Sequence, residues 1–143
     1  ISAIFIHLNY YKLAAIFYFI SYYYDCMDGF FARKYNMVTE FGDYYDHITD
    51  ALKILVIGGV VFYKIKSKIV GPTIFFGILW LIMNVHMGCQ EEYYNSEKSK
   101  SLAILKNFCF GSPNEMMQYT KFFGVGTVQL LLTAFIWNLD RFQ

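Results

Sequence analysis

The sequence contains few cysteines and has almost no net charge. The three cysteines form no CxxC pair, so neither a zinc-type spacing nor an even-numbered disulfide framework is present. We therefore expect free thiols at Cys26, Cys89 and Cys109, with no disulfide and no zinc. The 12 Lys and Arg residues nearly balance the 11 Asp and Glu residues, and the net charge is +1. This balance leaves no basic field of the kind that binds nucleic acid, so we expect no nucleic-acid partner.

Apolar and aromatic side chains are abundant instead. They make up 57% and 21% of the 143 residues, respectively, which is more than a soluble domain of this length usually carries. Long apolar segments with few charges are typical of membrane spans. The sequence therefore predicts an all-α fold, a polytopic transmembrane helical bundle in a single domain and in contact with the lipid bilayer. The predicted spans lie near residues 1–8, 13–33, 43–63, 70–87 and 120–138.

The apolar segment at residues 1–8 is too short for a complete span, and the chain begins inside it. We therefore expect that an N-terminal part is missing. The connections at residues 34–41 and 90–121 lie on the same side of the membrane by parity. That side has a small excess of Lys and Arg, which predicts that it faces the cytoplasm. Residues 90–100 are expected to form an exposed loop, and residues 101–110 to lie at the membrane interface.

The acidic residues are concentrated between two apolar runs. Residues 25–50 hold six of the 11 Asp and Glu residues. Asp25 and Asp28 are three apart and Asp46 and Asp50 are four apart, so each pair shares one face of a helix. Four carboxylates on two adjacent helices would repel one another unless a cation neutralises them. Oxygen-only ligands favour Mg²⁺, Mn²⁺ or Ca²⁺ over zinc or copper, and two such ions can clamp a diphosphate.

Small and basic residues accompany these carboxylates. Gly29 and Ala32 have almost no side chain, so a bulky ligand can approach the helix backbone closely. Arg33 is suited to meet a phosphate or another anion. We expect a second long helix to begin at Gly42 or Asp43, and Gly42 to let that helix start close to the first helix or to the ligand.

Together these residues follow the pattern D-xx-DG-xx-AR-x₈-G-xxx-D-xxx-D from Asp25 to Asp50. This pattern resembles the complete signature of the CDP-alcohol phosphatidyltransferase family, with no departure at a fixed position. The resemblance implies a homodimeric enzyme built on six transmembrane helices. It implies transfer of a substituted phosphate from a CDP-linked donor, such as CDP-diacylglycerol or a CDP-alcohol, to an alcohol with release of CMP.

The resemblance also implies a role for each signature residue. Four aspartates match metal ligands of a two-metal Mg²⁺ or Mn²⁺ site, and the last of them also matches the general base on the acceptor hydroxyl. The metal ligands are Asp25, Asp28, Asp46 and Asp50, and the base is Asp50. Four further positions match residues that surround the CDP moiety: Gly29, Ala32, Arg33 and Gly42.

The acceptor alcohol is less constrained. Asn36, Thr39 and the Thr49–Asp50 pair are similar to phosphatidylinositol synthases, so inositol is the first expectation. The segment around Asn36 also resembles phosphatidylglycerophosphate synthases. The residue after Asp46, a histidine, is similar to choline and ethanolamine phosphotransferases. Lys53, three residues after Asp50, could either extend to the membrane surface or contact an anionic acceptor.

Two other classes of function remain open at the level of the sequence. Acidic residues inside a membrane can line the path of a divalent-cation transporter. An inactive membrane scaffold could also carry such a segment. Clustering of the acids at one end of two helices, beside Arg33, favours the transferase over the transporter, and the intact signature favours it over the scaffold.

Overall fold

The structure, a computed structural model, describes residues 1–94 and 102–142 of the chain. Helices make up nearly all of these residues, and no strand occurs within the two described ranges. The α-helices are α1 (Ser2–His7), α2 (Tyr11–Lys34), α3 (Glu40–Ile65), α4 (Val70–Tyr94), α5 (Pro113–Thr120) and α6 (Val125–Trp137). Short 3₁₀ helices cover Lys66–Lys68, Leu102–Phe108 and Leu139–Phe142. The predicted all-α fold is confirmed.

Two asparagines end the first two helices. Asn9 and Asn36 have φ angles of 66° and 54°, in the left-handed region. After α2, the Met37 N–H donates to the Ala32 carbonyl at 2.8 Å and the Asn36 N–H donates to the Arg33 carbonyl at 3.4 Å. This arrangement is a Schellman motif, in which asparagine is one of the few residues that tolerate the left-handed position. The motif stops α2 abruptly and leaves only residues 35–39 before α3.

The start of α3 differs from the prediction. The helix begins at Glu40, not at Gly42 or Asp43. Thr39 has an extended backbone, and its hydroxyl accepts a hydrogen bond from the Gly42 N–H at 3.0 Å. A threonine in this position satisfies one of the N–H groups that the first turn leaves unpaired. The cap therefore lets the helix begin two or three residues earlier in the chain than predicted.

The described chain divides into two compact units. The first comprises Ile1–Val70 and Gln129–Gln143. Its core includes Ala14 and Ala15, both fully buried, and their small side chains let helices approach closely. The Ser2 hydroxyl of α1 donates to the Ala14 carbonyl of α2 at 2.8 Å. Further core residues come from all parts of this unit: Ile6, Tyr11, Tyr18, Val61, Ile65, Ile136 and Leu139.

The second unit comprises Gly71–Val128. Helix α4 continues to Tyr94, so the first residues of the predicted exposed loop at 90–100 are helical instead. The rest of that loop lies outside the described residues. Within this unit, the His86 ring nitrogen Nδ1 lies 2.8 Å from the Thr120 hydroxyl. The segment predicted to lie at the interface includes the 3₁₀ helix after Leu102, and its interfacial placement stays a prediction.

The prediction of three free thiols is wrong. Cys89 and Cys109 form a disulfide, and Cys26 is a free, exposed thiol. A side chain at Gly88 would collide with the Leu105 carbonyl, so the glycine lets the following segment pack directly on α4. This close approach brings two cysteines together that are 20 residues apart. Their spacing matches no sequence pattern, which is why the composition pointed to free thiols.

Two segments of the described chain are long and apolar enough to cross a membrane: Val70–Tyr94 and Pro113–Trp137. Only 6% and 17% of their most apolar windows are buried. Their apolar side chains therefore face outward, as contact with lipid requires. Helices α2 and α3 are not among these segments. The crossing of the membrane by α2 and α3, and the other predicted span boundaries, remain predictions.

Candidate active site

Three of the four signature aspartates converge. Asp25 lies on α2, and Asp46 and Asp50 lie one turn apart on α3. One carboxylate oxygen from each lies within 4.8 Å of the others. The four-residue spacing places the two α3 carboxylates on one face, and that face is turned toward Asp25. We call these three residues the carboxylate cluster.

Asp28 lies apart from the carboxylate cluster. Its side chain is exposed, and its carboxylate is not among the oxygens within 4.8 Å. Asp28 is nevertheless close enough for its charge to interact with Asp25 and with Asp46. The structure thus brings three predicted ligands together and leaves the fourth at the edge of the same negative region.

Lys53 joins the carboxylate cluster. Its ammonium lies 2.7 Å from Asp50 Oδ1 on the same helix and 3.3 Å from Asp25 Oδ1 on α2. All three side chains are partly exposed. One ammonium thus neutralises part of the charge of two of the three carboxylates and links the two helices. Neither sequence interpretation of Lys53 included this role, although its spacing of three residues from Asp50 was a usable signal.

The donor atoms of the carboxylate cluster fit a hard divalent cation. Oxygens bound to one Mg²⁺ or Ca²⁺ ion lie about 2.0 to 2.6 Å from it, so two of them are at most about 5 Å apart. The observed limit of 4.8 Å satisfies this condition. The three residues offer only carboxylate oxygens, which suit Mg²⁺, Mn²⁺ or Ca²⁺ rather than zinc or copper.

The candidate nucleotide residues lie around the short connection between α2 and α3. Ala32 and Arg33 are in the last turn of α2, and Gly42 is in the first turn of α3. The Arg33 guanidinium folds back along α2, so that a Cβ on Gly29 would lie 3.3 Å from its Nη1 atom. Gly42 leaves room for the Thr39 cap, because a Cβ there would lie 3.1 Å from the Thr39 hydroxyl oxygen. Both glycines therefore accommodate neighbouring side chains of the protein itself.

A cavity of about 500 Å³ opens beside the carboxylate cluster in the first unit. Its walls are mainly apolar, from α1, α2 and α3. The polar residues that line it include Lys53, Tyr18 and Ser21. The Tyr18 hydroxyl donates to the Gln129 side-chain oxygen. No local sequence pattern indicates this cavity, since its lining comes from residues far apart in the chain.

These features define a helical membrane protein with a carboxylate site suited to a divalent cation. The family model described as CDP-alcohol phosphatidyltransferase matches residues 1–103. The chain belongs to the CDP-alcohol phosphatidyltransferase family, as its signature indicated.

One curated relative of this chain has a named activity. A CDP-diacylglycerol–glycerol-3-phosphate 3-phosphatidyltransferase of Rickettsia felis is 42% identical over 56 residues. The matched region covers 39% of this chain and only 29% of the relative's length. No solved structure matches the chain. The similarity thus supports the family, while the activity of the whole protein is a matter for proposal.

Proposed function

We propose that this protein transfers the phosphatidyl group of CDP-diacylglycerol to the hydroxyl group of glycerol 3-phosphate and releases CMP. The observation that carries the proposal is the convergence of Asp25, Asp46 and Asp50 within a complete family signature. Membership of the family supports a CDP-linked donor and an alcohol acceptor.

The choice of acceptor rests on two further observations. The curated relative is named for glycerol 3-phosphate, whereas inositol, the first expectation from the sequence, gains no support from it. Lys53 also lines the cavity beside Asp50, where its positive charge would favour a phosphorylated acceptor over an uncharged alcohol. A choline or ethanolamine phosphotransferase would act on uncharged diacylglycerol and gains no support from this lysine.

Asp50 is the proposed general base. An alcohol hydroxyl is a weak nucleophile, and a carboxylate within hydrogen-bond reach can take its proton as the new P–O bond forms. The acceptor oxygen attacks the phosphorus that carries the diacylglycerol, the bond from that phosphorus to the CMP oxygen breaks, and the hydroxyl proton goes to Asp50. Asp25, Asp28, Asp46 and Asp50 would hold Mg²⁺ or Mn²⁺, and the bound ion would supply positive charge to offset that of the diphosphate and of the departing CMP.

Arg33 is the proposed anchor of the nucleotide phosphates. A guanidinium offers several N–H donors in a planar arrangement that matches phosphate oxygens. Gly29, Ala32 and Gly42 keep the backbone around it accessible. We also propose that this end of α2 and α3 faces the cytoplasm, from which a nucleotide and a water-soluble acceptor arrive, and that the enzyme acts as a homodimer, as the family resemblance implies.

A divalent-cation transporter is a weaker proposal. A transport path needs carboxylates spaced along the membrane, whereas the carboxylate cluster is confined within 4.8 Å. Lys53 and Arg33 would add two positive charges at such a path. An inactive scaffold would have no need for an intact set of converging aspartates.

The experiment that tests the proposal is CMP release by the purified chain in nanodiscs with CDP-diacylglycerol and Mg²⁺ or Mn²⁺. Glycerol 3-phosphate, inositol and serine are supplied separately, beside a blank without acceptor. A further reaction contains CDP-choline and diacylglycerol. We expect release with glycerol 3-phosphate alone, and loss of release in Asp50→Asn. Asp140→Asn makes the same chemical change outside the carboxylate cluster and should remain active.

Each other result has a defined meaning. Release with inositol or serine alone would preserve the transferase and overturn the acceptor. Release only from CDP-choline would mean that the CDP-linked donor carries the small alcohol and that diacylglycerol is the acceptor. Full activity in Asp50→Asn would overturn Asp50 as the base, and no release in any reaction would overturn the proposed activity of this chain.

A further inference from the structure

Lys53 contacts two carboxylates that a metal ion would also need. Its ammonium contacts Oδ1 of Asp50 and Oδ1 of Asp25, and both residues belong to the carboxylate cluster. A divalent ion bound between these carboxylates would lie within a few ångströms of the ammonium, and the two positive charges would repel each other. Metal and ammonium therefore compete for the same carboxylates.

The cavity offers the Lys53 side chain an alternative position. A lysine stem has four methylene groups and can swing its charge through several ångströms. Lys53 already lines the cavity of about 500 Å³, together with Tyr18 and Ser21. The hydroxyl groups of these two residues can accept hydrogen bonds from an ammonium that leaves the carboxylate cluster.

We propose that Lys53 is a positioning residue that holds the carboxylate cluster together before metal binds and is displaced toward the cavity when metal binds. Without a cation, three carboxylates within 4.8 Å would push α2 and α3 apart. Lys53 prevents this by linking Asp25 on one helix to Asp50 on the other. The site thus stays assembled, and its metal affinity is lowered by the cost of releasing the lysine. This inference rests on the metal site of the proposed function.

The first test is the reactivity of the Lys53 amine in the 143-residue wild-type chain in detergent. Lysines are labelled briefly with an acylating reagent, in EDTA or in saturating Mg²⁺, and each site is quantified by mass spectrometry. Lys64 is the internal reference, because it lies on the same helix as Lys53 but outside the carboxylate cluster. Its ammonium donates to the Asn9 side-chain oxygen at 2.7 Å. We expect Mg²⁺ to raise labelling of Lys53 relative to Lys64 about fivefold, because the free energy of an ordinary surface ion pair corresponds to about this ratio.

The second test is Mn²⁺ affinity, measured by electron paramagnetic resonance in wild type, Lys53→Met and Lys64→Met. We expect Lys53→Met to bind Mn²⁺ about fivefold more tightly and Lys64→Met to bind like wild type. Without metal, Lys53→Met should unfold at a lower temperature than wild type, and Mn²⁺ should remove most of that difference. Lys53→Arg should restore wild-type behaviour without metal.

The outcomes separate this inference from the proposed function. Mn²⁺ binding with unchanged Lys53 labelling, or with equal or weaker affinity in Lys53→Met, would overturn the inference alone. Absence of Mn²⁺ binding in every variant would overturn both the inference and the metal site. Displacement of Lys53 by Mg²⁺ in a protein that releases no CMP would support the inference and contradict the transferase activity. The labelling test uses only wild type, so it decides the question even if Lys53→Met fails to fold.

Discussion

The Arg33 guanidinium lies over Gly29, one turn earlier on α2, so that a Cβ at Gly29 would be 3.3 Å from Arg33 Nη1. Long side chains on a helix turn back toward its N-terminus, which brings residues four apart into contact. The glycine and the arginine of the signature are therefore coupled: one leaves the space that the other occupies. The sequence interpretation assigned that space to the ligand, whereas the structure assigns part of it to Arg33.

Gly29→Ala should lower activity without lowering stability. The added methyl group would shift the Arg33 guanidinium by a few tenths of an ångström, and displacement of the proposed anchor of the nucleotide phosphates would be costly to catalysis. We expect kcat/KM for CDP-diacylglycerol to fall about tenfold, mainly through KM. The melting temperature should hold or rise, because alanine favours a helix by about 1 kcal/mol over glycine.

Gly58→Ala on α3 is the matched control, since nothing lies within 4 Å of a Cβ placed there. It should gain similar stability and keep full activity. Equal kinetics of the two variants would contradict the coupling of Gly29 to Arg33.

Thr39→Ala should destabilise the start of α3. The Thr39 hydroxyl accepts from the Gly42 N–H at 3.0 Å, and loss of such a cap typically costs about 1 kcal/mol. Thr39→Ser keeps the hydroxyl and should remain close to wild type. Thermal unfolding followed by circular dichroism in one detergent would measure the difference. If the alanine and serine variants melt together, the cap does not contribute to stability.

The predictable parts of the site follow from local periodicity. The spacing of Asp46 and Asp50 depends only on helix geometry, so the sequence was enough to place both on one face. The carboxylate of Asp28 shows the limit of this reasoning, because the same rule included it and the three-dimensional packing left it outside the carboxylate cluster. Contacts between distant segments, such as Lys53 with Asp25, depend on how helices pack, and no local pattern encodes them.

Asp46→Asn should weaken metal binding although Asp46 makes no contact with Lys53 in the ion pairs described here. The substitution removes one of three carboxylates whose oxygens lie within 4.8 Å of one another, and an amide oxygen is a weaker ligand for a hard cation. We expect Mn²⁺ affinity to fall at least about tenfold. The measurement is a Mn²⁺ titration of the 143-residue chain, with Asp140→Asn as the control. Unchanged affinity in Asp46→Asn would remove Asp46 from the metal site.

The Cys89–Cys109 disulfide should be detectable as a difference in thiol count. The denatured, unreduced protein should be alkylated at Cys26 alone, and at all three cysteines after reduction. Because the disulfide closes a segment of 20 residues, its loss in Cys89→Ala/Cys109→Ala should cost about 3 kcal/mol of unfolding free energy. Cys26→Ala is the matched control and should melt like wild type. Alkylation of all three thiols before reduction, in protein purified without reductant, would contradict the disulfide and agree with the free thiols expected from the cysteine spacing.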